Sequence, residues 1–284
     1  MNTNAQMDGM PLSAKIGMTI ILIYAAAALI GPLLAPYGQT EVAGEQWAPL
    51  FWSAAGPDGD TFFLLGTDHL GRDLLTRLLY GARNSIGIAL VTTLLAFAAG
   101  VALGLLAATK QGVVDQVASR GIDVLMAFPS LIFALMILAV LGSSIPVLIG
   151  VIALMNMASV FRLTRALAMD LEAQDFVDVA KLRGERALWI MRRELLPNAM
   201  VPLAAEFGLR FCFVLLFIAS LSFIGLGIQP PIADWGSMVR ENASAISFGV
   251  LTPLVPATAI AGLTIGVNLV IDWLTNSREV VDEG

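Results

Sequence analysis

Five stretches of this chain contain no Asp, Glu, Lys or Arg: 16–40, 84–109, 124–161, 211–233 and 242–271. Together they make up half of its 284 residues. A hydrocarbon core is crossed by roughly 20 helical residues, at about 1.5 Å of rise each. Four of the stretches therefore supply one span apiece. The fifth, 124–161, has room for two and breaks at GSSIP (142–146), a turn-forming cluster. Six transmembrane helices follow, and with them an all-α, polytopic membrane protein. A composition of 57% hydrophobic and 13% charged residues, against about 25% charged in soluble domains, excludes an ordinary soluble fold.

The formal charge of −6 does not orient such a chain, because topology follows Lys and Arg rather than net charge. With a cytoplasmic N-terminus and alternating spans, Lys15, Lys110, Arg120, Arg162, Arg165, Lys181, Arg183, Arg186, Arg192, Arg193 and Arg278 fall inside. Arg72, Arg77, Arg83 and Arg240 fall outside, and Arg210 lies within a span. That bias places both termini in the cytoplasm of a polytopic inner-membrane protein. The predicted organisation is a cytoplasmic head (1–15), a first transmembrane helix (16–36) and an extracytoplasmic loop ending in an interfacial amphipathic helix (37–83). A five-helix core (84–275) with a cytoplasmic loop at 166–200 follows, then an acidic tail (276–284). The first span reads as an uncleaved anchor, since its apolar run exceeds that of a signal peptide. The segment 41–62 has no basic residue but carries Glu41, Glu45, Asp58, Asp60, Trp47 and Trp52, as an outer loop with interfacial aromatics would. Within 65–85, Leu70, Leu74, Arg77, Leu78 and Gly81 recur at helical spacing, which predicts the amphipathic helix. His69, the sole histidine, has no Cys or carboxylate set around it and is read as structural, so no metal site is predicted. The lone Cys212 excludes an internal disulfide.

One segment between the apolar runs is densely charged: DVAKLRGERALWIMRRELLPN, 178–198, with four Arg, one Lys, two Glu and one Asp. Over 170–184, Ala173, Phe176, Val177 and Ala180 form a narrow apolar stripe. Asp170, Glu172, Asp175 and Asp178 lie towards its start and Lys181, Arg183 and Arg186 towards its end, complementing the helix dipole. Gly184 is placed to end that helix in a left-handed conformation or to allow close approach. A second helical piece, 185–195, leads to Pro197 in the first turn of the fifth span. Two readings fit: a helix lying on the inner leaflet, or a short helix docking into a protein groove.

The spacing Asp178-Val179-Ala180, three residues, Gly184, nine residues, then Glu194-x-Leu196-Pro197 resembles the EAA signature of permease subunits in bacterial ABC importers. Asp178, Val179 and Glu194 replace the Glu, Ala and Ile of that signature. GTDHLGRD (66–73), RLLYGARNS (77–85), LSFIGLGIQPP (221–231) and DWGSM (234–238) resemble segments of the dipeptide/oligopeptide/nickel class, specifically its C-type subunits. Relatives often carry a Glu where this chain has Ile218. The resemblance implies a type I permease fold in which the loop helix is a coupling helix seated on a separate ATPase. By position it implies ATPase contacts at Glu172, Asp175, Phe176 (the groove anchor), Asp178, Val179, Ala180, Arg183 and Gly184, with Leu196 and Pro197 closing the loop. Implied partners are a homologous second permease, two P-loop ATPase subunits, an extracytoplasmic solute-binding protein and membrane lipid, with no nucleic acid. ATP and Mg would sit on the ATPases, and no cofactor on this chain.

No G-x-x-x-x-G-K-[ST] loop occurs; the three lysines follow LSA, AAT and DVA. The chain therefore lacks the phosphate cradle of a P-loop ATPase, and no residue is assigned a catalytic role. The competing hypothesis is an ion-gradient-driven secondary transporter using Glu206 and Arg210, which are also i, i+4 neighbours suited to a structural pair. Gly100/Gly104 and Gly262/Gly266 are small-x3-small pairs for close helix packing. Asn84, Thr92, Thr93, Asn156, Ser159 and Asn268, with Met155 and Met157 flanking Asn156, are candidates for path lining or for helix–helix contacts. Peptide is the default substrate of the class.

Overall fold

The computed structural model describes residues 10–56 and 59–282. Residues 1–9 of the predicted head, Asp58 of the predicted outer loop and residues 283–284 of the tail lie outside them.

Five helices are long and apolar enough to cross a membrane: α1 (Leu12–Leu34), α2 (Leu74–Lys110), α5 (Ile145–Glu172), α7 (Ala187–Ile224) and α9, from Leu254 onward. The helices α3 (Gly112–Met126) and α4 (Ser130–Leu141) are long and apolar enough only as a pair, and they are bent by 84° to each other, the form of a broken span or of a re-entrant loop. The sequence reading placed one break within 124–161, and the chain has two. Pro129 explains the earlier one: its ring disfavours the helical conformation at Phe128 and it has no N–H to give. The later break falls at Gly142, where φ is +83°, and α5 restarts with Pro146 in its first turn. What remains between the breaks, α4, is 12 residues long, about 18 Å, and too short to span alone.

Two other expectations are corrected. No separate amphipathic helix forms over 65–85. Residues 66–73 instead make isolated bridges, Val42 with Arg72 and Thr67 with Asp73, and α2 then runs unbroken for 37 residues. Asp73 starts it, its Oδ2 accepting the Thr76 N–H at 2.7 Å. Within the charge-free stretch 242–271, Ala243–Phe248 is a 3-10 turn that ends at Gly249, and α9 begins at Leu254. The predicted second piece, 185–195, is continuous with the fifth span, forming the 38-residue α7. Its turn Met191–Leu195 is π-helical. That widened turn lies directly before Pro197, which cannot donate to the carbonyl of Arg193. A two-stranded hairpin, β1 (Trp52–Gly56) with β2 (Gly59–Phe63), was not foreseen; Tyr37 and Trp52 stack on Phe63 at 5.4 and 6.0 Å.

The chain divides into two compact units. The first contains the segment up to Leu90, Ser143–Ile145 and Leu215–Trp273. In it α1 lies against α9 at van der Waals limit: a Cβ on Gly266 would fall 2.6 Å from Ile20 Cγ2, and one on Gly262 would fall 2.6 Å from the Tyr24 hydroxyl. The second contains Val91–Gly142, Pro146–Val214 and the segment from Leu274. There α2 approaches α5 equally closely, since a Cβ on Gly100 would lie 2.7 Å from Val160 Cβ and one on Gly104 2.8 Å from Thr164 Cβ. Ion pairs tie α3 to α5 in the same unit: Arg162 to Asp123 at 2.6 Å, and Arg165 to Asp115, with Nη2 at 2.6 Å from Oδ2.

Candidate functional site

The loop between the two long helices of the second unit begins where α5 ends, at Glu172. Gln174 is extended, and α6 (Asp175–Leu182) opens with Asp175 and Asp178 in its first turn and closes with Lys181, so the charge order favours the helix dipole. The helix is shorter than the predicted 170–184, because Asp170 and Glu172 belong to α5. Val177 and Ala180 are buried in a cluster with Leu105, Ala108, Ala168, Ile190, Met191 and Leu195. Lys181 Nζ reaches back to Glu172 Oε2 at 2.8 Å and to Asp178 Oδ1 at 3.6 Å. The Glu172 hydrogen bond, with the charges of Glu172 and Asp178, raises the Lys181 pKa against a smaller opposing effect of burial. Inward apolar contacts and one ion pair thus fix α6 on the body of the protein.

Its other face is open. Asp175, Phe176, Asp178, Val179, Leu182 and Arg183 are exposed, Leu182 to 88%. The predicted single stripe is therefore divided: Val177 and Ala180 point inward, while Phe176, one residue and about 100° away, points out. Two residues assigned as partner contacts are turned inward, namely Ala180, in the core, and Glu172, whose side chain is 7% exposed and held by Lys181. Leu182 was missed, although an isolated Leu beside Arg-Gly at the end of a charged helix was legible as an exposed apolar residue. Gly184 has φ +80° and closes the helix by a Schellman arrangement: its N–H donates to the Lys181 carbonyl at 2.9 Å and that of Glu185 to the Ala180 carbonyl at 3.2 Å. The chain turns there into α7, with the Arg183 guanidinium 5.5 Å over the Trp189 ring. Leu196 is half-buried against the core cluster and Pro197 is exposed, both within α7 rather than in a loop.

The remaining sequence motifs converge in the first unit. Asp68 is closed to solvent and accepts the amide N–H groups of Leu70 and Arg72 at 2.8 and 3.0 Å through Oδ1. Its Oδ2 takes Arg72 Nε at 2.7 Å and Arg77 Nη1 at 2.6 Å. Glu241, at the end of α8 (Trp235–Glu241), takes Arg72 Nη2 and Arg77 Nη1 at 2.9 and 2.6 Å. Burial raises the Asp68 pKa, but the Arg72 amide, the Arg77 guanidinium and the Leu70 amide outweigh it and hold the carboxyl below the usual carboxylate range. Nearby, the Trp235 indole N–H donates to the Leu78 carbonyl at 3.1 Å, the Trp235 amide to Ser85 Oγ at 3.0 Å, and Asn84 Nδ2 to the Ala233 carbonyl at 2.7 Å. Gly81 makes room for the indole, since a Cβ there would sit 2.9 Å from Trp235 Cδ1. Asp234 caps α8 through the Gly236 and Ser237 amides. GTDHLGRD, RLLYGARNS and DWGSM are in this way one structural network.

His69 does have carboxylate company, contrary to the sequence reading: one ligand atom each from Asp68, His69 and Glu241 lie within 4.8 Å of one another. The carboxylate oxygens Asp68 Oδ2 and Glu241 Oε2 are, however, already met by two guanidinium groups, so a cation there would face two fixed positive charges. The arrangement is an ion-pair network in which the arginines do the work of a cation.

The candidate path residues come from both units. Asn84 and Asn268 belong to the first unit and Thr92, Met155, Asn156 and Ser159 to the second. Thr92 is buried, whereas Met155, Asn156 and Ser159 are half-buried. Asn156 and Asn268 each donate to the carbonyl four residues back, Ile152 and Thr264, at 2.9 and 3.0 Å. Glu206 and Arg210 pair with each other at 2.5 Å, and the guanidinium stands 5.3 Å over Phe213.

Residues 100–277 match the family described as binding-protein-dependent transport system inner membrane component. The chain belongs to this family. It is the permease subunit of an ABC importer, and the ATP is hydrolysed on separate subunits rather than by this permease. The permease is 33% identical, over 94% of its length and 90% of the relative's, to the dipeptide transport system permease protein DppC of Haemophilus influenzae. It is 35% identical, over 93% of its length and 86% of the relative's, to the di/tripeptide transport system permease protein DppC of Pseudomonas aeruginosa. A crystal structure of an amino acid ABC transporter with histidines matches with a TM-score of 0.51 at 22% identity, over 71% of this permease and 94% of that chain. The fold is thus that of a type I permease. An ATPase and a solute-binding protein are the general partners of such a subunit, and its place is the inner membrane. The ion-gradient alternative is not favoured, and the mutual pairing of Glu206 with Arg210 leaves neither charge over for a coupling ion.

Proposed function

We propose that this permease carries peptides, forms half of a translocation path with a homologous second permease, and is driven through α6 by one of two ATPase subunits. Both termini and α6 lie in the cytoplasm in this reading, in keeping with the distribution of Lys and Arg. The substrate class comes from the relatives, which are named for dipeptides and for di- and tripeptides.

The observation that carries the reading is the division of α6 into two faces. Val177, Ala180 and Lys181 lock it to α5 and α7, while Phe176, Val179 and Leu182 are left as an apolar face ringed by Asp175, Asp178 and Arg183. A helix held rigidly on one side transmits a push applied to the other, and three apolar side chains at i, i+3 and i+6 suit a groove. ATP-driven closure of the ATPases would draw the two coupling helices together and turn the path outward, where the binding protein releases its peptide. Residues of α6 bind and transmit; none performs chemistry.

Mild-detergent purification of the tagged chain, with mass spectrometry of the accompanying proteins, tests this. Wild type brings a P-loop ATPase and a second permease. Phe176→Asp and Val179→Asp lose the ATPase and keep the second permease. Retention of the ATPase by both variants would refute docking through this face.

A further inference from the structure

A pocket of about 700 Å³ opens at the start of α7, lined by Arg186, Leu188, Trp189, Arg192, Arg193 and Pro197. It shares no residue with the exposed face of α6. All three arginines are exposed, and among the described residues none of their guanidinium groups has an ion-pair or hydrogen-bond partner. The two acids nearest in sequence do not neutralise them: Glu185 lies 3.9 Å from Arg183, and Glu194 does not line the pocket. The widened turn Met191–Leu195 places Arg192 and Arg193 beside residues from the preceding turn, Leu188 and Trp189.

Uncompensated positive charge selects an anion, and guanidinium forks suit phosphate oxygens. The rest of the pocket narrows the class. Leu188 is 61% exposed, Pro197 is exposed, and Trp189 presents an indole of the kind that sits at membrane–water interfaces. Directly beyond them, residues 195–205 carry no charge and continue a helix of membrane-spanning length, with Met200 exposed. Charge at one end and apolar surface at the other match an amphiphile whose phosphate meets the arginines and whose acyl chain lies along α7. We propose that this pocket binds the phosphate headgroup of an anionic phospholipid.

The test uses the intact importer in phosphatidylcholine nanodiscs to which phosphatidylglycerol is added stepwise. Lipid retained after detergent extraction is counted by native mass spectrometry. The wild type should retain phosphatidylglycerol in preference to phosphatidylcholine, and inorganic phosphate should not displace it. The Arg192→Gln/Arg193→Gln pair should weaken retention on the order of thirtyfold, from about 1 kcal/mol per basic residue near an anionic surface. Arg192→Lys/Arg193→Lys, which keeps the charge, should recover most of it. Equal retention by wild type and the Gln pair overturns the proposal. So does displacement by inorganic phosphate, which would make this a site for soluble anions. Loss of the ATPase with unchanged lipid retention also overturns it, by assigning the arginines to that interface. Should the Gln pair fail to assemble, the wild-type preference and the phosphate competition decide alone. Peptide import is not assumed at any step, so failure here leaves the proposed function standing.

Discussion

Arg77 and Asp68 form a closed pair: Nη1 lies 2.6 Å from Oδ2, with the side chains 1% and 0% exposed. Removing one member of such a pair strands the other without water, at a cost of about 3–5 kcal/mol. Arg77→Met or Asp68→Asn should therefore reduce folded protein in the membrane several-fold. The double variant should lose less than the sum, since no charge in the pair is left stranded. Thermal unfolding of the purified variants measures the non-additivity, and strict additivity would disprove the coupling.

The same network sets a pH dependence. Burial lowers the His69 pKa, outweighing the opposing pull of Asp68 and Glu241. The folded protein thus resists a proton that the unfolded chain accepts below about pH 6.5. The contribution is intact above that value and is lost as pH falls from it towards the depressed folded value. Asp68, held low, adds a second loss only once pH falls below the unfolded carboxylate value of about 4. The melting temperature should fall between about pH 7 and 5, and His69→Gln should flatten that part of the profile. An unchanged profile would remove His69 from the account.

Gly184 tests conformation without sterics. A Cβ there would meet nothing within 4 Å, yet φ is +80°. Gly184→Ala and Gly184→Leu should cost nearly the same, roughly 1–2 kcal/mol, and Gly184→Asn less. Binding-protein-stimulated ATP hydrolysis should follow that order, with membrane insertion intact. A Leu variant much worse than Ala would mean that space, and not φ, is limiting.

Lys181 is half in water, so its own loss is modest, but Lys181→Met leaves the buried Glu172 carboxylate unpaired. The expected cost is about 1–3 kcal/mol in docking α6, read as weaker stimulation of ATP hydrolysis. Adding Glu172→Gln should recover part of it. No recovery would show that Lys181 acts elsewhere.

At Gly104 and Gly266 the limit is space. Gly104→Leu and Gly266→Leu must force α2 from α5 and α1 from α9, costing about 1–3 kcal/mol or more, whereas Ala should be milder. Yield and melting temperature of the purified protein are the readouts.

Much of this was written in local chemistry. The transfer free energy of an apolar run depends on that run alone, so the approximate places of the five long apolar helices and the break at 142–146 followed from composition. Gly184 followed likewise, because a left-handed helix end is a property of one residue. The Pro129 break and the continuity of α7 through Pro197 were misjudged, although the prolines were visible; a helix that widens and one that bends answer the same local signal in different contexts. What only the tertiary structure decided is which charges are buried. Arg77 stood in the helical stripe of an expected interfacial helix, and Glu172 looked like a contact for a partner. Arg77 is buried because Glu241, 164 residues away, lies against it, and Glu172 because α6 folds back to bring Lys181 within reach. A charge enters a protein interior only with its counter-charge, and that partner's distance along the chain is set by the fold.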